Sequence, residues 1–370
     1  MTFVLGRSAD EGQTGSLGHF LATDGSRGAP VALDLDRPHV GLVVGKRGSG
    51  KSYTLGVLAE EIATTAGVAG VVMDPMAVFD GVAQLPDSRV VSEPTIRADA
   101  LSPAGWCHLL DLDPATGPGA LLWRASATTA TLQDMRRVVD TAGAPAETRR
   151  AVLNHLELAA SWKTFSPDGL TPESLLSGGV TVLDTSGIAA PAQAAIVSAV
   201  ASGLYEGALD AESAPLPWLL VDEAHAVTET VAGRALRTLL TRGRHPGVSL
   251  VLATQRPAAL PDVAISQADL VVSHRLTAGP DVEALADANP TYLDADLENR
   301  LPEGVGEAIV VDDATESAVT ITVRKRKTPH GGDSPRATDR IAERRAPSGG
   351  PPPDEIAAPT ESTTLGSGRR

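Results

Sequence analysis

The chain has 370 residues, 42% of them hydrophobic, enough to build one large α/β domain or two modest ones around a packed core. A net charge of −15 opposes nonspecific attraction to nucleic acid over the whole surface, so any DNA contact has to be local. The single Cys107 excludes an internal disulfide and reads as a small buried side chain, and no Cys/His cluster has zinc spacing. No 18-residue uncharged apolar run offers a membrane span, and the start, MTFVLGRSADEGQ, lacks the basic and apolar regions of a signal peptide. A cytoplasmic protein without a membrane partner is therefore expected.

Residues 1–38 carry short β-like pieces, Phe3 to Leu5 and Val31 to Leu35, separated by Gly, Ser and Asp turns. They form an N-terminal β segment ahead of a core expected at 39–327. Within that core, apolar runs of strand length recur at Val40 to Val44, Gly70 to Met73, Val180 to Leu183, Trp218 to Val221, Val248 to Ala253, Leu270 to Ser273 and Ala308 to Val311. Runs that do not alternate with polar residues suit strands covered on both faces, as in a parallel sheet. Between them, Leu55, Leu58 and Ile62, and later Ile196, Val200 and Leu204, repeat at helical spacing. The alternation of strand and helix predicts an α/β architecture around a mainly parallel central sheet. From about 94 to 176 the pattern turns helical, through Leu132, Met135, Val138 and Val139 and then Val152, Leu153, Leu156 and Leu158, which predicts a helical insertion. Residues 328–370 are rich in Pro, Gly, Ser and charge, and a disordered tail is expected there.

The segment Gly45-Lys46-Arg47-Gly48-Ser49-Gly50-Lys51-Ser52 satisfies G-x-x-x-x-G-K-[ST] at every fixed position, between a buried strand and an amphipathic helix. Its glycines permit a tight turn and close approach, so that backbone N–H groups at the helix start can face phosphate oxygens of ATP. Lys51 then reaches the β and γ phosphates, and the Ser52 hydroxyl ligates Mg²⁺. Arg47, Ser49 and Tyr53 complete the expected nucleotide-contacting set.

The apolar run Trp218 to Val221 ends in Asp222-Glu223-Ala224-His225. An acid at the carboxyl edge of a buried strand stands where open α/β sheets hold their ligands, so Asp222 is a candidate for the Mg²⁺ shell and Glu223 for the base that polarises the attacking water. Val248 to Ala253 leads into Thr254-Gln255-Arg256-Pro257, and Gln255 is a candidate for sensing the γ-phosphate or orienting water. Arg234, Arg237, Thr241 and Arg244 fall on one helix face. The plain reading is a solvated face; the sharper one supplies Arg242 or Arg244 to a neighbouring subunit's ATP, where charge develops in the transition state.

Taken together, these segments resemble the HerA-like branch of the HerA and FtsK ATPases, ring-forming motors on DNA, over roughly residues 17–324. Besides the phosphate loop, the resemblance rests on Met73-Asp74-Pro75-Met76-Ala77-Val78-Phe79, on Gly179 to Ser186 followed by a helix with Gln193 and Tyr205, and on Arg242 to Val248 leading to Ala253 to Pro257. It implies a RecA-like core, a homohexameric ring with ATP sites between subunits, double-stranded DNA in a central channel, and a nuclease partner of the kind paired with HerA. The sequence departs from the family where Arg47 replaces the usual Thr and where Met76, Ala77 and Val78 replace His-Gly-Glu, although Asp74 remains. Arg37 and His39 lie near the place of a basic residue that precedes the first strand, with Pro38 inserted. The family's N-terminal barrel is reduced here to residues 1–38.

An ATP-driven DNA translocase or helicase is the expected function. Nothing in the sequence marks a DNA-binding loop directly; Arg136, Arg137, Arg149 and Arg150 of the insertion are candidates, with a solvated helix face the simpler account. A regulatory or scaffolding ATPase remains the alternative, favoured by the acidic balance, the short N-terminus and the Pro-rich tail. A P-loop kinase is disfavoured, because Asp222 beside Glu223 pairs a metal ligand with a water-activating base.

Overall fold

The computed structural model describes residues 2–7, 11–22, 24–210, 215–287, 302 and 304–332. Its chain begins with strands β1 (Phe3–Leu5), β2 (Thr14–Leu21), β3 (Arg27–Asp34) and β4 (Val40–Val44), followed by helix α1 (Lys51–Thr64) and strands β5 (Val68–Asp74) and β6 (Arg89–Ser92). The insertion comes next, as α2 (Pro103–Leu109), α3 (Gly117–Thr128), α4 (Leu132–Asp140), α5 (Ala146–Ser161) and α6 (Pro172–Leu175). Then follow β7 (Val180–Asp184), α7 (Ala190–Asp210), β8 (Leu216–Val221), α8 (Gly233–Arg242), β9 (Ser249–Thr254), α9 (Asp262–Ser266), β10 (Leu270–Ser273), α10 (Gly279–Asp287), β11 (Glu307–Asp312) and β12 (Ser317–Val323).

The unalternating runs are used as their composition requires. Leu42 and Val44 of β4 enter the core on one face of the sheet and Val43 enters the core on the other. Leu219 and Val221 oppose Leu220 in β8 in the same way, and Leu250 and Leu252 oppose Val251 and Ala253 in β9. With both faces covered, a strand has no use for polar alternation. The first face packs against the insertion, α7 and α8, and the large buried side chains of the insertion, Trp106, Leu122, Met135 and Leu156, belong to the same core. The second face packs against α1 through Leu55, Leu58 and Ile62.

The twelve strands of the described residues form one sheet, in the order β1-β3-β2-β12-β11-β10-β4-β9-β8-β5-β7-β6. From β10 to β6 every neighbour is parallel, while β11, β12 and β2 join antiparallel. The fold is thus α/β with a mostly parallel sheet of the RecA-like kind. The described strands of the N-terminal segment, expected as a short β segment in place of the family's barrel, extend the core sheet, since β2 pairs with β12 and also with β3.

The strand order positions the site. β9 lies between β4 and β8, with Val44 level with Thr254 and Val221 level with Leu252, so the loops leaving β4, β9 and β8 share one edge. Of the tail expected over 328–370, residues 328–332 are described and the rest lie outside the described residues. The chain after β12 runs along α1. There Glu60, fully buried, accepts hydrogen bonds from Arg324 Nη1 (2.7 Å), Lys327 N (2.8 Å), Thr328 N (2.8 Å) and Thr328 Oγ1 (2.7 Å). Gly331 N donates to Val78 O at 3.3 Å. Among the described residues no helix is long and apolar enough to cross a membrane.

Candidate active site

The loop from Gly45 to Gly50 turns on three glycines with positive φ: Gly45 (153°), Gly48 (76°) and Gly50 (124°). At Gly45 space as well as φ demands glycine, because a Cβ would stand 2.4 Å from Ser49 Oγ and 2.7 Å from His274 Cβ. The loop is tied by Ser49 Oγ to Lys46 O (2.8 Å), Lys46 N to Arg275 O (2.8 Å) and Gly306 N to Ser49 O (3.2 Å). Lys51 opens α1 at the loop's end; it is 5% exposed, and its ammonium donates to Lys46 O at 3.3 Å.

Opposite this helix start stands the end of β8. Ser52 Oγ donates to Asp222 Oδ2 at 2.6 Å, and Glu223 N donates to Asp222 Oδ1 at 2.9 Å. Asp222 is 3% exposed, and burial pushes its carboxyl above the ordinary range. Glu223 is raised as well, by burial first and then by Asp222, while Lys51, His225 and Arg47 at the exposed loop tip oppose the rise. Burial lowers Lys51, and Glu223 and Asp222 push back. A cation and phosphates at this edge would reverse these shifts, by favouring ionised acids and a charged lysine.

The structure therefore brings Gly45, Gly48, Ser49, Gly50, Lys51, Ser52, Asp222, Glu223 and the exposed Arg47 to one edge of the sheet, and Gln255 follows β9 on the same edge. Tyr53 is committed elsewhere: its hydroxyl accepts from Arg326 N at 2.7 Å, and its ring meets the His330 ring edge-on, 5.6 Å between centroids. Arg242, the last residue of α8, and Arg244, in the connection from α8 to β9, are exposed at the opposite edge from Lys51. Of the four insertion arginines considered for DNA contact, three have partners within the chain. Arg136 pairs with Glu157 (2.6 Å), Arg137 with Asp134 (2.9 Å), and Arg149 donates to Ala144 O (2.6 Å).

Two further residues support the site: His274, which sequence reasoning missed, and Asp74, which it noted only as the acid left in the second-strand motif. His274, fully buried behind the loop, has Nδ1 2.7 Å from Glu307 O and Nε2 2.9 Å from Thr54 Oγ1. Burial, seconded by the charge of Lys51, brings it down to about 4, so it is neutral. The carbonyl assigns the proton to Nδ1, and Nε2 then accepts from the Thr54 hydroxyl. Its sequence signal was its place, one residue past a strand neighbouring β4. Asp74 is the other: it accepts from Met76 N, Val78 N and Phe79 N and so caps the turn where the usual acid is absent. Burial pushes it up to about 6, against those three donors.

A cleft of about 940 Å³ lies elsewhere, lined by Arg97, Trp123, Glu173, Glu206 and Arg234 among others. No residue of the phosphate loop faces it, and its charges of both signs select no ligand class.

The family described as "Helicase HerA, central domain" matches residues 16–203, more than half of the chain. The chain belongs to this HerA family. It is a P-loop ATPase of the HerA/FtsK type. No curated protein matches it significantly. Among solved structures, VirB4 of Thermoanaerobacter pseudethanolicus is 17% identical with a TM-score of 0.64, covering 87% of this chain and 99% of that one. The bacterial conjugative coupling protein TrwB, in an unbound form, is 16% identical with a TM-score of 0.56, covering 82% and 88%. TrwB in complex with the non-hydrolysable GTP analogue GDPNP gives 16% identity, a TM-score of 0.54, and coverage of 79% and 87%. At such identities the likeness carries the fold, and residue roles in this HerA-family chain rest on its own geometry.

Proposed function

We propose that this HerA-family ATPase is a ring motor: ATP hydrolysed between subunits of a homohexamer moves or unwinds double-stranded DNA. The observation that carries the reading is the contact of Ser52 with Asp222, which places a hydroxyl and a carboxylate beside the lysine of the phosphate loop. These two hard oxygen donors suit Mg²⁺, which keeps several waters and takes the rest of its shell from phosphate oxygens. That division fits a site in which, among the described residues, no group of three or more His, Cys, Asp or Glu could hold a metal alone. When bound, Mg²⁺ would neutralise charge on the phosphates. Lys51 binds the β and γ phosphates, Glu223 polarises the attacking water, and Gln255 senses the γ-phosphate. Arg244 or Arg242, far from this chain's own Lys51, serves a neighbour's nucleotide.

A regulatory or scaffolding ATPase is the second reading, favoured by the in-chain pairing of Arg136, Arg137 and Arg149, which leaves fewer cations for phosphate contacts. ATP turnover with and without linear duplex DNA separates the two. Strong stimulation supports the motor, and turnover indifferent to DNA supports the scaffold. The mass of the native assembly with ATP tests the hexamer, and co-purification tests a nuclease partner.

A further inference from the structure

The segment Asp222-Glu223-Ala224-His225 ends in a histidine to which the hydrolytic reading gives no task. The chain turns at Glu223 with φ 49° and ψ 40°, a left-handed conformation disfavoured for any residue with a Cβ. The turn sets the Glu223 carboxylate against His225. Glu223 Oε2 lies 3.4 Å from His225 Nδ1, is buried, and accepts no hydrogen bond among the described residues. The same Nδ1 is 3.1 Å from the hydroxyl of Thr254, the last residue of β9, and that hydroxyl also accepts from Arg256 N at 3.0 Å.

One ring nitrogen thus faces two oxygens, one on the turn that follows β8 and one at the end of β9. A proton on Nδ1 can be given to Glu223, which holds the carboxylate, or to Thr254, which leaves it. If the Thr254 hydroxyl instead donates to a bare Nδ1, the carboxylate loses that donor. Either way the aim of Glu223 depends on β9, whose next residue is Gln255.

We propose that His225 is a positioning residue that ties the Glu223 carboxylate to Thr254, so that the base is aimed through the strand that carries Gln255. The proposal rests on Glu223 as the water-polarising base. It gives His225 no contact with ATP, so it predicts an effect on turnover and not on binding.

The test measures steady-state ATP turnover, and affinity for the non-hydrolysable analogue AMP-PNP, in the full chain and its variants. His225→Ala is expected to lower kcat about ten- to hundredfold, the scale of a misplaced reacting group, with KM and analogue affinity within about threefold of wild type. His225→Asn, whose amide can present an N–H near the place of Nδ1, is expected to recover turnover to within about threefold, as a purely steric role would not require. Thr254→Val should lower kcat alone, and adding it to His225→Ala should cost little more, because both remove one link. Wild-type turnover in His225→Ala alongside an inactive Glu223→Gln overturns the proposal and leaves the base assigned. A loss of analogue affinity matching the loss of kcat, or no recovery in His225→Asn, overturns it in favour of a structural role. Wild-type turnover in Glu223→Gln overturns the reading on which it rests.

Discussion

The Ser52 hydroxyl donates a 2.6 Å hydrogen bond to Asp222 Oδ2 across 170 residues of sequence. Neither residue moves far from its strand: Ser52 stands in the first turn of α1, and Asp222 directly follows β8. The contact exists because β4 and β8 run parallel with only β9 between them, so that their carboxyl ends open onto one edge. What the sheet brings together is a short list of groups that can be removed one at a time.

Lys51 is the first. Its ammonium is buried at the loop and faces the charges of Asp222 and Glu223. Lys51→Ala should lower nucleotide affinity or turnover by roughly a hundredfold or more, the scale for removing one preorganised charge donor. Titration with a fluorescent nucleotide and a phosphate-release assay check it. Affinity and turnover both near wild type would remove Lys51 from the site.

Glu223→Gln keeps the size of the side chain and deletes its charge. Nucleotide should still bind, while turnover falls by about 10² to 10⁴, the usual contribution of a positioned base. Comparing equilibrium binding with single-turnover hydrolysis separates the two effects. Equal losses in both would mean that the carboxylate serves binding.

The strands of the inner sheet and the phosphate loop were legible in the sequence because both are local statements: an apolar run covered on two faces, and a glycine spacing that only a tight turn uses. The strands that were missed lack that signature. In β12 only Ile321 and Val323 are buried, and β6 is four residues at an edge with none buried. The ends of the sequence misled for a different reason. Thr328 was expected to open a disordered tail, yet it is 6% exposed, and its environment, like that of Lys327, is set by Glu60 on a helix more than 260 residues earlier. Likewise His225 and Thr254 stand inside segments that were read correctly, but the hydrogen bond that links them depends on which strands are neighbours. Composition and periodicity carry no information about such pairings.

The Glu60 cluster is testable as stability. Burial works against its charge, but donors from Lys327, Thr328 and Arg324 outweigh it and hold the carboxyl below the ordinary range. Its contribution is therefore present above the ordinary carboxylate pKa and lost as pH falls through the depressed value. Glu60→Ala should cost on the order of 3 kcal/mol at neutral pH, because it strands buried donors. Urea unfolding measures the loss. Breaking the exposed Arg136–Glu157 pair by Arg136→Ala should change little, and equal losses in the two variants would show that burial does not distinguish them.

Arg244 raises a question of which chain it serves. It lies at the amino edge of β9, while Lys51 lies past the carboxyl end of β4. Arg244→Ala should reduce turnover by roughly a thousandfold if it stabilises a transferring phosphoryl group from a neighbour. Mixing it with Lys51→Ala chains should restore part of the activity, since some shared sites then hold one intact half from each. Mixtures no more active than their components would exclude a finger supplied in trans.

His39 gives a pH dependence whose direction is fixed by its neighbours. It is 3% exposed just ahead of β4, with Nδ1 2.9 Å from Asp269 Oδ2. Its Nε2 is 3.8 Å from Asp34 Oδ2, too far for a hydrogen bond, so Asp34 acts by charge. Burial opposes protonation, but the two carboxylates more than offset it and raise His39 from 6.5 to about 9. The folded chain therefore holds this proton more tightly than the unfolded one. The stabilisation is fully present below pH 6.5 and is lost as pH rises from there through about 9. Its size is on the order of 3 kcal/mol, as a shift of this extent implies. His39→Gln, which cannot carry the charge, should show its largest stability deficit near pH 6 and a deficit that shrinks steadily as the pH approaches 9. Urea midpoints of both chains across that range measure it. A deficit independent of pH would mean that His39 works through packing against Trp218, whose ring lies 5.9 Å away, and not through its charge.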